Sequence, residues 1–250
     1  MSQGELVSAF YDGHAADYRK KYKSRNPFYD YFFYERLRVA TKDIDLGGKR
    51  IVDIGAGTGG LYDYLQDEQL SVADYLAIDT SAGMLANSNI PRDRQIVGDL
   101  EDIDCKGEFD IAFLLGVTTY VSKEKMQRYI SCINELLAPG GVLVITFTNS
   151  RSLDILFRSI FSPIFKMLPR RGRIISQKFK TYYYSRKEAM LLLEPDFETF
   201  DWTGINHTIF PVSRLVPRLS LRWAERVGKM TAGPFKTWMS GDLLIKATKR

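Results

Sequence analysis

Apolar positions along the chain gather into short unbroken runs, separated by stretches in which they recur every three or four residues. Buried strands alternating with amphipathic helices produce that pattern, and it points to an α/β sheet of mostly parallel strands. The clearest unit is Ile51-Val52-Asp53-Ile54 running into Gly55-Ala56-Gly57-Thr58-Gly59-Gly60, after which Leu61-Tyr62-Asp63-Tyr64-Leu65 resumes with helical spacing. Strand, tight turn and helix in that order make a shelf for a ligand. Glycines admit positive φ and close approach to the main chain, and the helix N-terminus offers unpaired N-H groups.

Further strands are expected at Tyr75 to Asp79, Gln95 to Val97, Phe109 to Gly116, Leu137 to Ile145, Phe197 to Gly204 and Trp238 to Ala247. The helical stretches between them carry legible starts. Ser81 or Thr80 is placed to cap a short helix containing Met84, a helix is expected from Ser122 to Leu137, and Ser185 with Glu188 forms a capping-box pair. Upstream of the first strand, residues 5–23 read as a helix interrupted near Gly13. Residues 28–42 read as an aromatic-rich helix packed against the sheet.

The glycine turn admits two ligands. Gly55-x-Gly57-x-x-Gly60 fits a dinucleotide fingerprint, whereas Asp53-x-Gly55-x-Gly57-x-Gly59 fits a loop for S-adenosylmethionine (SAM). The acidic side chain separates them. Asp53 two residues before the first glycine would put negative charge beside a pyrophosphate, but it can bind the ammonium of SAM while glycine N-H groups take its carboxylate. Five ordered motifs then resemble those of the class I, Rossmann-like SAM-dependent methyltransferases, over roughly residues 6–150. They are the glycine turn, the strand ending in Asp79, the acidic turn Gly98-Asp99-Leu100-Glu101, the strand ending at Leu115-Gly116, and Pro139-Gly140-Gly141 before the fifth strand.

That resemblance implies a single domain with a seven-stranded, mostly parallel sheet of order 3-2-1-4-5-7-6, the last strand antiparallel and helices on both faces. It divides the chain into an N-terminal helical lid (1–45), a cofactor core (46–150) and substrate-cap insertions (151–196 and 205–237). By the same resemblance, the cofactor residues are Asp53, Gly55, Ala56, Gly57, Thr58, Gly59, Asp79, Thr80, Met84, Asp99, Leu100 and Leu115. Asp79 would meet the ribose, and Asp99 with the next main-chain N-H would meet the adenine. The lid segment Tyr11-Asp12-x-x-Ala15-x-x-Tyr18 resembles one that folds over the methionine end, which brings in Tyr11 and Tyr18. The implied activity is methyl transfer from SAM, leaving S-adenosylhomocysteine (SAH), to a small-molecule acceptor. An oxygen of a lipid-like, sugar-like or specialised metabolite is favoured, ahead of nucleic-acid or protein methylation and of NAD(P)-dependent oxidoreduction. Catalytic candidates are His207, His14 and Tyr120, the histidines because an imidazole titrates near neutrality.

Composition refines the picture modestly. A chain of 250 residues, 45% hydrophobic, can bury one sizeable core, and two cysteines, Cys105 and Cys132, show neither metal spacing nor a disulfide pattern. No metal is expected. Without a leader-like start or a long uncharged apolar run, a cytoplasmic protein is expected rather than a secreted or membrane-spanning one. Net charge is +5, and between Arg158 and Lys180 the charged residues are all basic, among apolar residues and two prolines. That segment suits a cap over an amphiphilic or acidic acceptor, or a passing membrane contact, with no stable nucleic-acid partner expected.

Overall fold

In the computed structural model the described residues are 2–22, 27–104, 106–166, 179–209, 212–231 and 233–250. Cys105, Phe210, Pro211 and the basic stretch with Arg170, Arg171, Arg173 and Lys178 lie outside them. Helices α1 (Gln3–Asp12), α2 (Ala15–Tyr22) and α3 (Pro27–Thr41) precede β1 (Arg50–Ile54). The core alternates α4 (Gly60–Asp67), β2 (Asp74–Asp79), α5 (Ala82–Ala86), β3 (Gln95–Val97), β4 (Phe109–Leu114), α6 (Lys123–Leu136) and β5 (Leu137–Thr148). Next come α7 (Leu153–Lys166), α8 (Arg186–Leu193), β6 (Phe197–Ile205), α9 (Val212–Leu215), α10 (Pro217–Gly228), α11 (Pro234–Met239) and β7 (Asp242–Lys249).

The strands form one sheet in the order β3-β2-β1-β4-β5-β7-β6, with β7 antiparallel to both neighbours. The expected order and the single reversed strand are both present. Strands buried on two faces need apolar residues at consecutive positions, and β4 shows why. Ile111 and Phe113 pack with Ile51, Tyr75 and Val144 on one face, while Ala112 and Leu114 pack with Val52, Ile130 and Ile145 on the other. Ser81 caps α5, Ser122 caps α6, and Ser185 with Glu188 closes a reciprocal capping box on α8.

Trp238 and Met239 differ from the expectation of a strand. Pro234 sits at the first position of α11, where a missing N-H costs nothing, and the helix carries both residues before β7 begins at Asp242. The turn back from β6 is tight. Gly204 has no room for a side chain, because a Cβ there would lie 1.9 Å from Ser240 Oγ and 2.7 Å from Ser240 Cβ. Gly204→Ala is expected to destabilise the fold by about 1–3 kcal/mol through this overpacking, read as a lower urea midpoint at unchanged slope.

Candidate functional site

Strand order reverses between β1 and β4, and in an open parallel sheet a ligand crevice forms there, beyond the carboxyl ends of the strands. A cleft of about 750 Å³ occupies that position. Its floor is the glycine turn. Gly55, Gly57 and Gly59 all take positive φ, and the first two carbonyl-free edges of the turn are tied to β2, with Gly55 N-H and Ala56 N-H donating to Ile78 O at 2.7 and 3.1 Å. A Cβ on Gly55 would also meet Val117 Cγ2 at 2.2 Å, so this position is closed to other residues on two grounds.

Asp79 braces the turn from the neighbouring strand. One carboxylate oxygen accepts from Gly57 N-H at 2.7 Å and the other from Ser81 N-H at 2.8 Å, joining the glycine turn to the start of α5. Burial raises its carboxyl above the usual range, against the pull of those two N-H groups. Asp53 lies deeper, 4% exposed, and accepts a 2.6 Å hydrogen bond from the hydroxyl of buried Tyr75. Burial lifts its carboxyl to about 7, opposed by the Tyr75 hydrogen bond and assisted by the charge of Asp79. The cleft therefore holds an acid poised to gain or lose its charge near neutrality, with no cation beside it among the groups that shift it.

Asp99 is held differently. Lys125 Nζ donates to one of its oxygens at 2.5 Å and Tyr129 OH to the other at 2.8 Å, both from α6. Burial works to raise its carboxyl, but these hydrogen bonds outweigh burial and keep it below the usual range. Lys125 and Tyr129 also line the cleft, and nothing in the motif spacing pointed to them.

Helix α1 crosses above. Asp12 of α1 accepts from Ser81 Oγ at 2.5 Å and from Gly83 N-H at 2.8 Å, and Ser8 Oγ donates to Thr80 O at 2.9 Å. On the opposite side Gln3 Nε2 donates to Tyr120 O at 2.8 Å and to Lys180 O at 3.0 Å. No side chain of α1 is buried, so polar contacts hold this helix across the cleft rather than a packed face. Tyr11 packs edge-on against Tyr18 at 5.8 Å and against Tyr120 at 5.7 Å between ring centres, and all three line the cleft.

Of the expected cofactor residues, Tyr11, Tyr18, Asp53, Gly55, Ala56, Gly57, Thr58, Asp79, Thr80, Met84, Asp99, Leu100 and Leu115 come together around this one cleft. Gly59 is not on its surface and instead caps α4 in the left-handed region, φ 76°. Tyr120 lines the cleft, but neither histidine does. His14 is exposed, stacked on Phe10 at 4.3 Å, with Nδ1 2.7 Å from Phe10 O. His207 is fully buried with Nδ1 3.3 Å from Ser240 Oγ, and Nε2 has no partner among the described residues. Burial first, and then the charge of Lys236, lower its imidazole to about 4. The roles expected of both histidines thus lack the geometry they need.

Arg36 is a further cleft residue that sequence reasoning missed. It reaches from α3 to Asp242 Oδ2 at 3.2 Å, and its Nε is buried without a partner among the described residues. A Cβ on Gly116 would sit 2.6 Å from Arg36 Nη1, so glycine at 116 leaves the guanidinium its place over the end of β4. Among the described residues no group of three or more His, Cys, Asp or Glu could hold a metal ion, and no helix is long and apolar enough to cross a membrane.

Residues 52–145 match the family model described as a methyltransferase domain. Over 165 residues the chain is 27% identical to the ubiquinone/menaquinone biosynthesis C-methyltransferase UbiE of Yersinia pestis, covering 61% of this chain and 62% of that protein. The chain thus spans about three-fifths of the length of the curated relatives it matches. A SAM-dependent methyltransferase of Thermotoga maritima superposes with TM-score 0.65 at 16% identity, over 98% of this chain and 100% of that one. Magnesium protoporphyrin IX methyltransferase of Synechocystis PCC 6803, solved with bound SAH, superposes with TM-score 0.61 at 14% identity over 100% of both chains. At those identities the likeness establishes the fold. Titration of the His207 imidazole by NMR is expected to give a midpoint near 4, leaving the ring neutral throughout the physiological range; a midpoint near 6.5 would show it free to act as an ordinary base.

Proposed function

Taking the chain as a Rossmann-like class I methyltransferase, we propose that it is a cytoplasmic enzyme that binds SAM in the cleft beneath α1 and methylates a small-molecule acceptor. The observation that carries this reading is Asp53. This buried residue lines the cleft beside the glycine turn, where a pyrophosphate would meet like charge and an ammonium would find an opposite charge. SAM supplies an activated methyl on a sulfonium, so the chain has to bind, align and exclude water.

The geometry supports the following division of labour. Thr58 N-H is placed for a carboxylate, those of Ala56 and Gly57 being taken by Ile78 O and Asp79; Asp79 retains lone pairs for ribose hydroxyls, and Leu100 N-H with Asp99 serves the adenine edge beside Met84. Lys125 and Tyr129 act as positioning residues that fix the Asp99 carboxylate. The rings of Tyr11, Tyr18 and Tyr120 provide faces to a cation. Arg36 brings a guanidinium, paired on one side with Asp242, to the lining of the cleft where an anionic group could meet it.

With no imidazole on the cleft surface, a hydroxyl that must first lose a proton is a poor acceptor. An oxygen already ionised in solution, such as a carboxylate or an acidic phenol, or a stabilised carbanion, needs no base and would be paired by Arg36. The names of the two relatives, ubiquinone and menaquinone biosynthesis for one and magnesium protoporphyrin IX for the other, support a small-molecule acceptor over nucleic acid or protein.

The test is SAM affinity against pH. A carboxyl whose pKa is raised to about 7 is mostly neutral at lower pH, so binding of an ammonium strengthens as pH rises. Between about pH 6 and about pH 7 the ionised fraction grows about fivefold while the α-amino group of SAM stays protonated, so the Kd should tighten about fivefold. Above about pH 8 the amine itself loses its charge and affinity should fall again. Asp53→Asn is expected to bind more weakly and without the rise; an unchanged profile in that variant would remove Asp53 from the site. Transfer of labelled methyl from SAM to carboxylate, phenol or activated-carbon acceptors then identifies the substrate class.

A further inference from the structure

Away from the cleft, α9, α10, α11 and α7 pack one against the next along the β6 side of the sheet. Helix α10 buries Ser220, Ala224 and Val227 on one face. Opposite that face are Arg218, Arg222 and Lys229, but along its flank apolar residues stay exposed. Leu219 is 62% exposed and Trp223, one turn on, is 46% exposed. Leu215 at the end of α9, Phe235 and Trp238 on α11, and Ile160 on α7 are exposed as well. Single exposed apolar residues need no explanation, but exposed leucine, isoleucine and aromatic side chains on four helices packed one against the next form a patch of the kind that meets a partner.

Charge identifies the partner. Arg218, Arg222 and Arg226 recur every four residues beside Leu219 and Trp223, and with Lys229 they are exposed. From Val212 to Met239 the sequence holds six basic residues, Arg214, Arg218, Arg222, Arg226, Lys229 and Lys236, against the single acidic Glu225. Lys236 turns inward, donating to Gly228 O and Met230 O. An apolar stripe with tryptophan, flanked by arginines on the same helix, matches a membrane interface, where the apolar face enters the acyl boundary and cations meet lipid phosphates. We infer that α10, with α9 and α11, docks the protein on the surface of an anionic lipid bilayer.

Docking is peripheral, through this face alone, and it leaves the cleft and its lid untouched. An amphiphilic acceptor partitioned into the bilayer would then be delivered at the surface where the enzyme sits. The surface does not depend on which acceptor the cleft takes, nor on whether SAM binds there.

Co-sedimentation with unilamellar vesicles tests it, using the whole chain. Vesicles of one part phosphatidylglycerol to three parts phosphatidylcholine should bind the protein, binding should weaken as salt rises, and phosphatidylcholine alone should bind far less. The double substitution Leu219→Glu with Trp223→Glu removes two exposed side chains and should reduce binding to the mixed vesicles by about tenfold or more. Arg218→Gln with Arg222→Gln and Arg226→Gln should flatten the salt dependence. An unchanged far-ultraviolet spectrum and unchanged SAM affinity in both variants establish that they remain folded. Equal vesicle binding by wild type and the double variant would overturn the proposal. So would a dimer by light scattering that the double substitution dissolves, since a second copy would then own this face.

Discussion

Everything at the cleft depends on the bracing of the glycine turn by Asp79. A turn with three residues at positive φ keeps its shape only if something holds it, and Gly57 N-H is held by one oxygen of this carboxylate. The other oxygen fixes Ser81 N-H at the mouth of α5, and the Ser81 hydroxyl in turn contacts Asp12 of the lid. A single half-buried carboxylate therefore links floor, wall and roof. It costs desolvation, visible in its raised pKa, and two main-chain hydrogen bonds offset that cost.

The three acids of the site show how environment assigns roles to one functional group. Asp79 is satisfied by main-chain N-H groups and serves as a brace. Asp99 is paired by Lys125 and Tyr129 and stays charged. Asp53, facing only a tyrosine hydroxyl, is left near its titration point, which is the condition under which a cationic ligand gains most from its ionisation. Spatial arrangement matches this gradient, with the turn at the reversal of strand order where helix and strand ends converge.

Much of this was legible in the sequence because the cofactor-side residues are local to strand ends. Asp53 lies one residue before the end of β1, Asp79 closes β2 and Asp99 follows β3 by two residues, so finding those strands finds them. The cap residues Ser81, Ser122 and Ser185 were readable for the same reason. Arg36, Lys125 and Tyr129 were not, because they reach the cleft from helix faces whose orientation depends on tertiary packing. His207 misled in the opposite way. It follows a strand, but β6 lies four strands from β1 at the sheet edge, about 19 Å away at ordinary strand spacing, and α10 and α11 cover that end. Trp238 and Met239 form too short an apolar pair to separate helix from strand, and Pro234 decided it for the helix.

The most direct measurement is calorimetric titration of the whole chain with SAM, SAH and NADH in parallel. The account predicts one site that takes SAM and SAH with micromolar-range affinity and does not respond to NADH. Binding of NADH without SAM would contradict it, since a cleft that accepts a pyrophosphate beside Asp53 is not the site described here.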